Sequence, residues 1–572
     1  MWSTGAFASF LPPFKVTAGK SESALVPPDP DSTSRVTRIE YILHNATLTT
    51  CTNQIDSYHY YLKAREARII PGKQAVMRHM VLLLGGVPVL YTPYWYRNLE
   101  DPTLGLVFRL GYRTAWGGYL MVGYRYRVTD HMKTTTFVET RTKRGLGLGQ
   151  DLIWQKTTAA SNSIKGAIEV NWLNDSDYEY DKTPAQYAKI ESSSRYRARI
   201  HHSQTITERA YGMGDFTYFS DPYVLDDFFD DEYQNASQPD NYVTMSHRGN
   251  NYSVGITARV RLNDYYNAVN RLPEINYDVS RQQIADTPFY YESRSTLAYL
   301  QKVWAEPSTN DNYSAGRFDS SHYGYYPTRH FNFLNIIPRA GYRGTWYSAS
   351  VENRAEQASV TTVLTNTSSG STAMVATVTQ LVTVTNQYEA ASVFRSLFEV
   401  GCEVSFKAYR TWSDLKALPL IDGLRHVVEP YANYTFSPDP TVDAQNLYQF
   451  DKVDTLGAVN SVKTGVRNKL QTKRNNATFE LLNSDIYAVW NVDPEEDQDA
   501  FDYAGTKTTV HLNNHFKIEF IGKYASNTVS ETSTRLWFIY PKFKTSLEYQ
   551  EKESTDSQLF TPTINFIPNK RW

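Results

Sequence analysis

The chain has 572 residues, 58 basic and 60 acidic, so its formal net charge is −2. This balance does not indicate a partner such as nucleic acid or another polyanion. Hydrophobic residues make up 41%, the mean hydropathy is −0.50, and no run of about 18 apolar residues occurs, which excludes a bundle of membrane-spanning helices. Aromatic residues make up 14%, mostly tyrosine, which suits the membrane interface of a β-barrel but also a soluble tyrosine-rich β-protein.

Residues 1–36 are predicted to be a poorly structured segment. They begin with MWSTGAFASFLPPFKVTAGK, in which Pro12, Pro13 and Lys15 interrupt the apolar stretch that a signal peptide needs. An exported protein requires such a peptide. The expectation is therefore that the sequence is an N-terminally truncated product or a fragment.

The segment GGVPVLYTPYWY at 85–96 is apolar and aromatic, but two prolines interrupt it. With the preceding apolar residues it approaches the length of a short spanning helix, yet its two glycines and two prolines would break a helix there. Proline fixes φ and withholds an N–H donor, so Pro88 and Pro93 predict an extended connection that does not pair with neighbouring strands. An aromatic girdle at the rim of a barrel is the alternative.

Strict alternation of apolar and polar residues recurs through the rest of the chain. It predicts strands with one apolar and one charged face, although the strand of a soluble sandwich would show the same pattern. The clearest cases are YLMVGYRYRV (119–128), IKGAIEVNW (164–172), YSVGITARVRL (252–262) and FEVGCEVSFKAY (398–409).

Strand length and loop composition favour a transmembrane barrel over a sandwich. The alternating stretches run for about ten residues, and loops rich in Asp, Asn and Ser separate them, as at 174–186 and 226–241. About 460 residues follow residue 110, which at roughly 18 to 20 residues per strand and connection predicts on the order of two dozen strands or more. The predicted fold is therefore an all-β, large antiparallel transmembrane β-barrel.

Several stretches resemble one family in both order and spacing. They are ATLTTCTN (46–53), YYLKAREARII (60–70), GGVPVLYTPYW (85–95), KRGLGLGQDLIW (143–154), GDFTYFSD (214–221), LRHVVEPYANYTF (424–436) and GAVNSVKTGVRNKL (457–470). The family they resemble is that of the lipopolysaccharide (LPS)-assembly outer-membrane protein LptD, also called the organic solvent tolerance family. The resemblance spans about residues 40–470.

The resemblance implies a division of the chain into domains. It implies a partial periplasmic β-jellyroll at 37–84, a hinge at 85–103 and the transmembrane barrel at 104–572. The hinge would carry the family's VP-x-x-Y-x-PY segment, which reads here as Pro88, Tyr91, Pro93 and Tyr94. It also implies localisation in the outer membrane of a Gram-negative bacterium.

The function implied by the resemblance is an outer-membrane translocon that inserts lipopolysaccharide into the outer leaflet. Acyl chains would follow a jellyroll groove, with Val81, Leu82 and Leu84 as candidates, although a plain sandwich core explains this run equally well. The head would pass through a polar barrel lumen, and both would leave through a lateral gate between the first and last strands.

The gate and the lumen each give candidate residues. Where the family has prolines that weaken strand pairing, this chain has glycine, so Gly117, Gly118 and Gly123 are gate candidates, with an ordinary lumen-facing glycine as the alternative. Four arginines on the polar faces of strands could bind phosphates of the head, although any hydrated lumen needs polar residues. They are Arg125, Arg127, Arg259 and Arg261.

Partners also follow from the resemblance. They are the lipid bilayer, lipopolysaccharide, a plug lipoprotein (LptE-like) in the lumen and a periplasmic bridge protein (LptA-like) at the jellyroll if its docking edge is present; no nucleic acid and no cofactor are expected. Family members often carry disulfides between jellyroll and barrel, and Cys51 is at a matching position. The other cysteine, Cys402, falls on the apolar face of its strand, so we expect no disulfide.

Enzyme signatures do not occur in the sequence, which lacks H-E-x-x-H, G-x-S-x-G, a Walker A motif and a cysteine pair at zinc spacing. We therefore expect no enzyme. The histidines at 201–202 and the acidic residues at 226–233 could bind a cation, but a solvated loop is the simpler interpretation. Two other functions stay open: a general outer-membrane porin or uptake barrel, which leaves 46–95 unexplained, and a soluble tyrosine-rich sugar-binding β-protein.

Overall fold

The computed structural model describes twenty stretches of the chain, and every structural statement below refers to them. No helix among them is long and apolar enough to cross a membrane. The stretches are 7–10, 14–26, 38–49, 59–99, 101, 104–158, 162–179, 182–183, 189–190, 192–229, 232–233, 238–308, 310–366, 374–413, 421–474, 477–494, 499–525, 528–540, 543–552 and 557–566.

Seven antiparallel strands form an N-terminal sheet. Six of them pair in the order β1-β2-β4-β5-β6-β7, and β3 pairs with β4. Alternating small and large apolar side chains, among them Leu43, Ala67 and Met77, meet in one buried core. The strands are β1 (Phe7–Phe10), β2 (Phe14–Thr17), β3 (Lys20–Val26), β4 (Arg38–Thr49), β5 (Tyr60–Ile70), β6 (Gln74–Leu84) and β7 (Val87–Asn98).

The first part of the chain differs from the sequence prediction. Residues 1–36 were expected to be poorly structured, but β1, β2 and β3 lie within them. Val16 and Ala18 are buried in the core of the sheet, and β3 pairs with β4 along its whole length from Lys20 to Val26. The prolines and the lysine that argue against a signal peptide do not prevent short strands, because a strand needs only alternation and a partner.

The proline-rich segment forms a strand of its own. Gly85 and Gly86, both with positive φ, make the turn from β6, and β7 then pairs with β6 from Val87 to Asn98. Because β7 is the last strand in the order of this sheet, its prolines remove no bond from a second neighbour. Most of the predicted hinge at 85–103 is therefore a paired edge strand, and the first barrel strand begins at Gly105.

The other strands form the predicted barrel. Twenty-four of them close in the order β8 to β21, then β24 to β33 and back to β8, with antiparallel pairing between successive strands. This confirms the predicted fold class and the estimate of about two dozen strands. Two compact units divide the chain: the first holds the described residues up to 241 except 209–212, and the second holds 209–212 and those from 242 onward.

The barrel strands of the first unit precede one short helix, α1 (Val224–Phe228). The strands are β8 (Gly105–Arg113), β9 (Gly117–Thr129), β10 (Met132–Arg141), β11 (Gly145–Thr158), β12 (Asn162–Asp175), β13 (Ser194–Thr207) and β14 (Ala210–Phe219), of which residues 210–212 are assigned to the second unit.

The second unit holds the remaining barrel strands and a separate hairpin of β22 and β23, and Ala444–Asn446 is a 3-10 turn. Its strands are β15 (Tyr242–Arg248), β16 (Tyr252–Arg259), β17 (Ala268–Gln283), β18 (Tyr290–Val303), β19 (Tyr313–Tyr325), β20 (Thr328–His330), β21 (Leu334–Tyr347), β22 (Ser350–Asn366), β23 (Met374–Ala390), β24 (Val393–Phe406), β25 (Ala408–Trp412), β26 (Asp422–Ser437), β27 (Val459–Arg474), β28 (Ala477–Asn491), β29 (Phe501–His511), β30 (Phe516–Ala525), β31 (Thr528–Ile539), β32 (Phe543–Lys552) and β33 (Ser557–Phe566).

The outer face of the barrel wall is apolar. Along β9, Leu120, Val122 and Tyr124 all point to the same side and are exposed, and β24 repeats this with Phe394 and Phe398. The opposite face of each strand carries glycines and charged residues. Exposed apolar side chains in alternate positions of a closed barrel are suited to contact with lipid, which fits a transmembrane barrel and not a soluble protein.

Candidate functional site

Arg195, at the start of β13, is the centre of a buried charge cluster and is 0% exposed. Its Nε and Nη2 atoms donate to both carboxylate oxygens of Asp221, at 2.9 and 2.7 Å. Its Nη1 atom donates to Asp175 at 2.9 Å and to Asp227 at 2.7 Å. Asp221 and Asp227 belong to the segment after β14, so the guanidinium holds this segment against the barrel wall. We call residues 220–229 and 232–233 the first latch.

Three cationic side chains contact the carboxylate of Asp227 in α1. Besides Arg195, Lys182 donates to it from 2.8 Å and Arg144 lies 3.1 Å away. Burial alone would raise the pKa of the Asp227 carboxyl, but the nearby charges and the hydrogen bonds from Lys182 and Arg195 outweigh burial and hold that pKa below its ordinary value. Asp227 is therefore an ionised hub, and α1 cannot leave the wall without separating these charges.

Aromatic side chains complete the first latch. The ring of Phe228 is about 5 Å from the guanidinium groups of Arg141, Arg144 and Arg195. Its other neighbour is the indole of Trp116, in the turn between β8 and β9, whose ring stacks on Phe228 with 6.4 Å between centroids. Such cation–π contacts strengthen when they are desolvated, as they are in this cluster.

Residues 438–458, between β26 and β27, form a second latch of the same chemistry. Arg317 on β19 is 2% exposed and donates to Asp451 at 2.8 and 2.7 Å and to Asp454 at 2.8 Å. The hydroxyl of Tyr347 donates to Asp454 at 2.8 Å. The other carboxylate oxygen of Asp454 accepts the backbone N–H groups of Phe450 and Asp451, which fixes the turn that carries both acids.

The second latch also has an aromatic anchor. Phe450 is buried in a small cluster on the wall, and Tyr313 and Tyr448 stack beside it with 4.7 Å between their centroids. Burial would raise the pKa of Asp451, but the hydrogen bond and charge of Arg317 hold it below its ordinary value. Both loops are thus fixed by a buried wall arginine, a pair of loop carboxylates and a phenylalanine.

Between β19 and β28 the inner face of the wall carries paired charges. Arg343 binds Asp319 through two hydrogen bonds of 2.8 Å, and Arg339 donates to Glu399 at 2.9 Å. Arg467 lies between Glu403 and Glu429, at 3.4 and 3.2 Å. This part of the interior wall is therefore polar, and acids on other strands compensate the charges of these three arginines.

The predicted lumen arginines have different environments. Arg125 and Arg127 share the inner face of β9, where Arg125 donates to Thr135 at 2.8 Å and Arg127 lies 3.4 Å from Asp101. Arg259 is the last residue of β16, in the second unit. Arg261 was expected on a strand face but lies in the following loop, because β16 ends two residues earlier; it donates to the carbonyl oxygens of Tyr266 and Trp304.

The candidate gate glycines lie in paired segments of β9. Gly123 pairs with Val107 on one side and with Phe137 on the other. Phe137 is buried, and a Cβ at Gly123 would come within 2.8 Å of the Phe137 Cβ atom. Gly117 has a φ of +72° and begins β9, and the carbonyl oxygen of Gly118 accepts the N–H of Thr142. Close packing is thus one reason for glycine at 123.

The candidate groove residues lie in β6 but do not share one face. Leu82 is opposite Leu62, which packs on the sheet core, whereas Val81 points to the other side and Leu84 at the strand end is exposed. The prominent apolar surface is on β7 instead. Its exposed side chains are Val87, Val89, Leu90, Tyr91 and Tyr94.

The hinge prolines and the cysteines complete the predicted residues. Pro88 is opposite Leu83 in the ladder, and the register skips Pro93 at a bulge where His79 has a positive φ. Cys402 is a free thiol on the outer face of β24, beside Val400, as its alternation predicts. Cys51 lies outside the described residues.

Sequence reasoning missed the residues of both latches. It took 226–233 as a solvated loop or a cation site, whereas Asp227 and Glu232 bind arginines, and no metal-binding group of three or more His, Cys, Asp or Glu occurs within the described stretches. The available signal was the phenylalanine and tyrosine residues within acidic loops, as in DDFFDDEY and QNLYQFDKVD. A solvated loop seldom needs such rings.

Comparison with curated proteins gives relatives of one kind. A stretch of 247 residues is 26% identical to the LPS-assembly protein LptD of Ectopseudomonas mendocina and covers 41% of this chain and 25% of that relative. The LPS-assembly proteins LptD of Pseudomonas fluorescens and Pectobacterium atrosepticum are 27% and 26% identical, with 41% and 36% of this chain and 25% and 24% of the relatives covered. These relatives confirm the resemblance to the LptD family that the sequence motifs predicted.

The similarity to LptD proteins covers only part of their length, and similarity to solved structures is low. The matched stretch spans about a quarter of the length of these LptD relatives, and no family model matches the chain. Among solved structures, the alcaligin outer-membrane receptor FauA from Bordetella pertussis is 7% identical, with 97% of this chain and 95% of that chain covered, at a TM-score of 0.25. That score is too low to carry an argument. The similarity to LptD proteins and the lipid-facing barrel together identify the chain as an outer-membrane protein of a Gram-negative bacterium.

Proposed function

We propose that this protein is a translocon that inserts lipopolysaccharide into the outer leaflet of the outer membrane. Such a molecule presents a physical problem, because its acyl chains cannot cross water and its charged head cannot cross lipid. The LptD relatives, named as LPS-assembly proteins, support this substrate class. The process needs no covalent chemistry, so we propose transport and not catalysis.

One observation carries the proposal: in the chain, a strand with exposed apolar side chains directly precedes a barrel whose inner face carries charged residues. β7 exposes Val87, Val89 and Leu90, and only residues 99–104 separate it from β8. Acyl chains would contact the N-terminal sheet, at this strand and at Val81, Leu82 and Leu84. Phosphates of the head would contact arginines of the inner wall such as Arg125 and Arg127, whose guanidinium groups suit such anions.

The exit would be lateral, beside the first barrel strand. Six of the nine residues of β8 are exposed, so this strand depends mainly on its backbone ladder. Gly117, Gly118 and Gly123 on β9 would give its partner strand the freedom that prolines give other family members. A plug lipoprotein in the lumen and a periplasmic bridge protein at the N-terminal sheet would complete the machine.

Site-specific photocrosslinking in cells tests the proposal. A photoreactive residue is placed at Leu82, at Tyr91 and at Arg125, and the adducts are probed for lipopolysaccharide. Val122, three residues before Arg125 on β9 but on the outer face, is the matched control. We expect adducts at the first three sites but not at Val122. Equal labelling at Val122, or no labelling in a correctly inserted barrel, would contradict transport.

The latches favour a second candidate, an uptake barrel with constriction loops. Loops fixed against the wall by Arg195 and Arg317 are what such a barrel would use to narrow its channel. Conductance in planar bilayers separates the two functions. An uptake barrel should conduct ions steadily and give no lipopolysaccharide adducts, whereas the translocon should give adducts whatever its conductance.

A further inference from the structure

Trp116 fixes the tip of the first barrel hairpin to the first latch. It lies in the turn between β8 and β9, is 8% exposed, and its indole N–H donates to the backbone oxygen of Asp227 at 2.8 Å. The guanidinium groups of Arg113 and Arg141 lie over the indole at 4.2 and 4.4 Å from its centroid. One side chain therefore joins the hairpin tip, the end of β10 and α1.

The indole of Trp116 is held in place because the backbone oxygen of Asp227, which accepts its hydrogen bond, is itself held in place. Asp227 is bound to Arg195, Arg144 and Lys182, so its backbone oxygen belongs to a segment that cannot move without separating buried charges. The backbone of Trp116 is also bonded on both sides: its N–H donates to Arg113, and its carbonyl oxygen accepts the N–H of Lys143. The tip is thus held by the latch and by the next loop together.

Among the residues that the structure describes, no buried side chain anchors the remainder of β8 in the way that Trp116 anchors the tip. Its large apolar side chains point outward and are mostly exposed, as Phe108, Leu110 and Tyr112 show at 63%, 70% and 72%. The other end of the strand begins at Gly105, whose φ is +109°, a conformation that L-residues rarely adopt. Buried side chains therefore anchor β8 at its tip, whereas the rest of the strand, including the Gly105 end, is held by its backbone pairing.

We propose that Trp116 is a positioning residue that pins the tip of the first hairpin, so that β8 moves outward by pivoting about this tip and separates first at its Gly105 end. This inference rests on the proposed lateral exit for its biological meaning. It adds the direction of opening and the residue that sets it. The end that opens first is the one next to the N-terminal sheet in the chain, where the substrate would arrive.

Hydrogen exchange tests whether Trp116 pins the hairpin tip. It is measured on the full chain in lipid nanodiscs and resolved to single amides by fragmentation mass spectrometry. In the unmodified protein, we expect β8 amides near Gly105 to exchange faster than those near Arg113. Trp116→Ala should abolish this gradient and speed exchange at the tip by at least about tenfold, because it removes a buried hydrogen bond and a packed ring. Trp116→Phe, which keeps a ring but loses the N–H, should restore part of the protection.

Trp172→Ala is the matched control. Trp172 also donates its indole N–H, to Ser194 at 2.7 Å, but it lies on the outer face of β12 in the same unit. We expect it to leave the exchange of β8 unchanged. A merely structural role for Trp116 would raise exchange throughout β10–β13, whereas the pin predicts a rise confined to the first hairpin.

Three results would refute the proposed role of Trp116. They are uniform exchange along β8 in the unmodified protein, no change at the tip in Trp116→Ala, and an equal effect of Trp172→Ala. Heat-modified migration in gels confirms that each variant is a folded barrel, and Trp116→Phe supplies the comparison if Trp116→Ala fails to fold. The exchange measurement uses no lipopolysaccharide, so it is independent of the crosslinking test. If Leu82 gave no adducts while the exchange gradient along β8 was intact, the transport proposal would be refuted and the proposed role of Trp116 would not.

Discussion

Replacing Arg195 with methionine should release the first latch from the wall. The substitution keeps a similar length but removes four hydrogen bonds to Asp175, Asp221 and Asp227, all three of them buried or nearly so. Loss of one partner from a buried ion pair costs about 3–5 kcal/mol. Arg144 and Lys182 still neutralise part of the acidic charge, so we expect the lower end, about 3 kcal/mol, or a roughly 100-fold rise in the open population.

Hydrogen exchange within α1 measures this opening directly. The N–H of Asp227 donates to Tyr223 and that of Phe229 to Leu225, so both amides exchange only when the latch opens. Arg294→Met is the matched control, because Arg294 is 77% exposed and its bond to Asp278 is a surface pair worth less than about 1 kcal/mol. If Arg195→Met speeds the α1 amides by less than about threefold, or no more than Arg294→Met does, the latch is not held by buried charge.

Three further predictions concern pH, the wall glycine and the second latch. Because the pKa values of Asp227 and Asp451 are below the ordinary value of 3.8, both latches should stay closed at neutral pH and loosen only as pH falls below about 4, as read from the mobility of nitroxides at the exposed Tyr233 and Lys452; loosening between pH 7 and 5 would contradict the ion-pair account. Gly123→Ala should lower barrel stability in urea by about 1–3 kcal/mol, whereas Gly255→Ala, whose Cβ would meet nothing closer than 3.5 Å, should have little effect; equal losses would refute the packing argument. Phe450→Ala should expose 438–458 to protease at a cost of about 3–5 kcal/mol, unlike the exposed Phe331→Ala, and unchanged cleavage would show that Phe450 is no anchor.

Alternation made the barrel predictable from sequence. Strands such as β9 keep a period of two because one face meets lipid and the other meets polar groups, so Val122 and Arg125 could each be assigned a side in advance. The end of β16 was less predictable, since Arg261 continues the pattern but binds loop carbonyls instead. A pattern cannot show where a ladder stops and a loop begins.

The latches were not predictable because they depend on contacts between distant residues. Arg317 and Asp454 are separated by 137 positions, and neither has a motif around it. The N-terminal strands were missed for a related reason: β1 to β3 are short, and they acquire order by pairing and by placing Val16 in a core built mostly by later strands.

The buried arginines also restrict how this barrel can be assembled. Enclosing Arg317 before its acidic loop arrives would leave an uncompensated charge in a dry site, at a cost of several kcal/mol, and enclosing Arg195 without its latch would leave it with Asp175 in place of three acids. Each loop must therefore fold back while its strands are still open to water, as part of the same step that pairs them. Loop closure in this protein is thus a step of barrel assembly. A folding factor that binds the chain must accommodate hairpins whose loops are already folded.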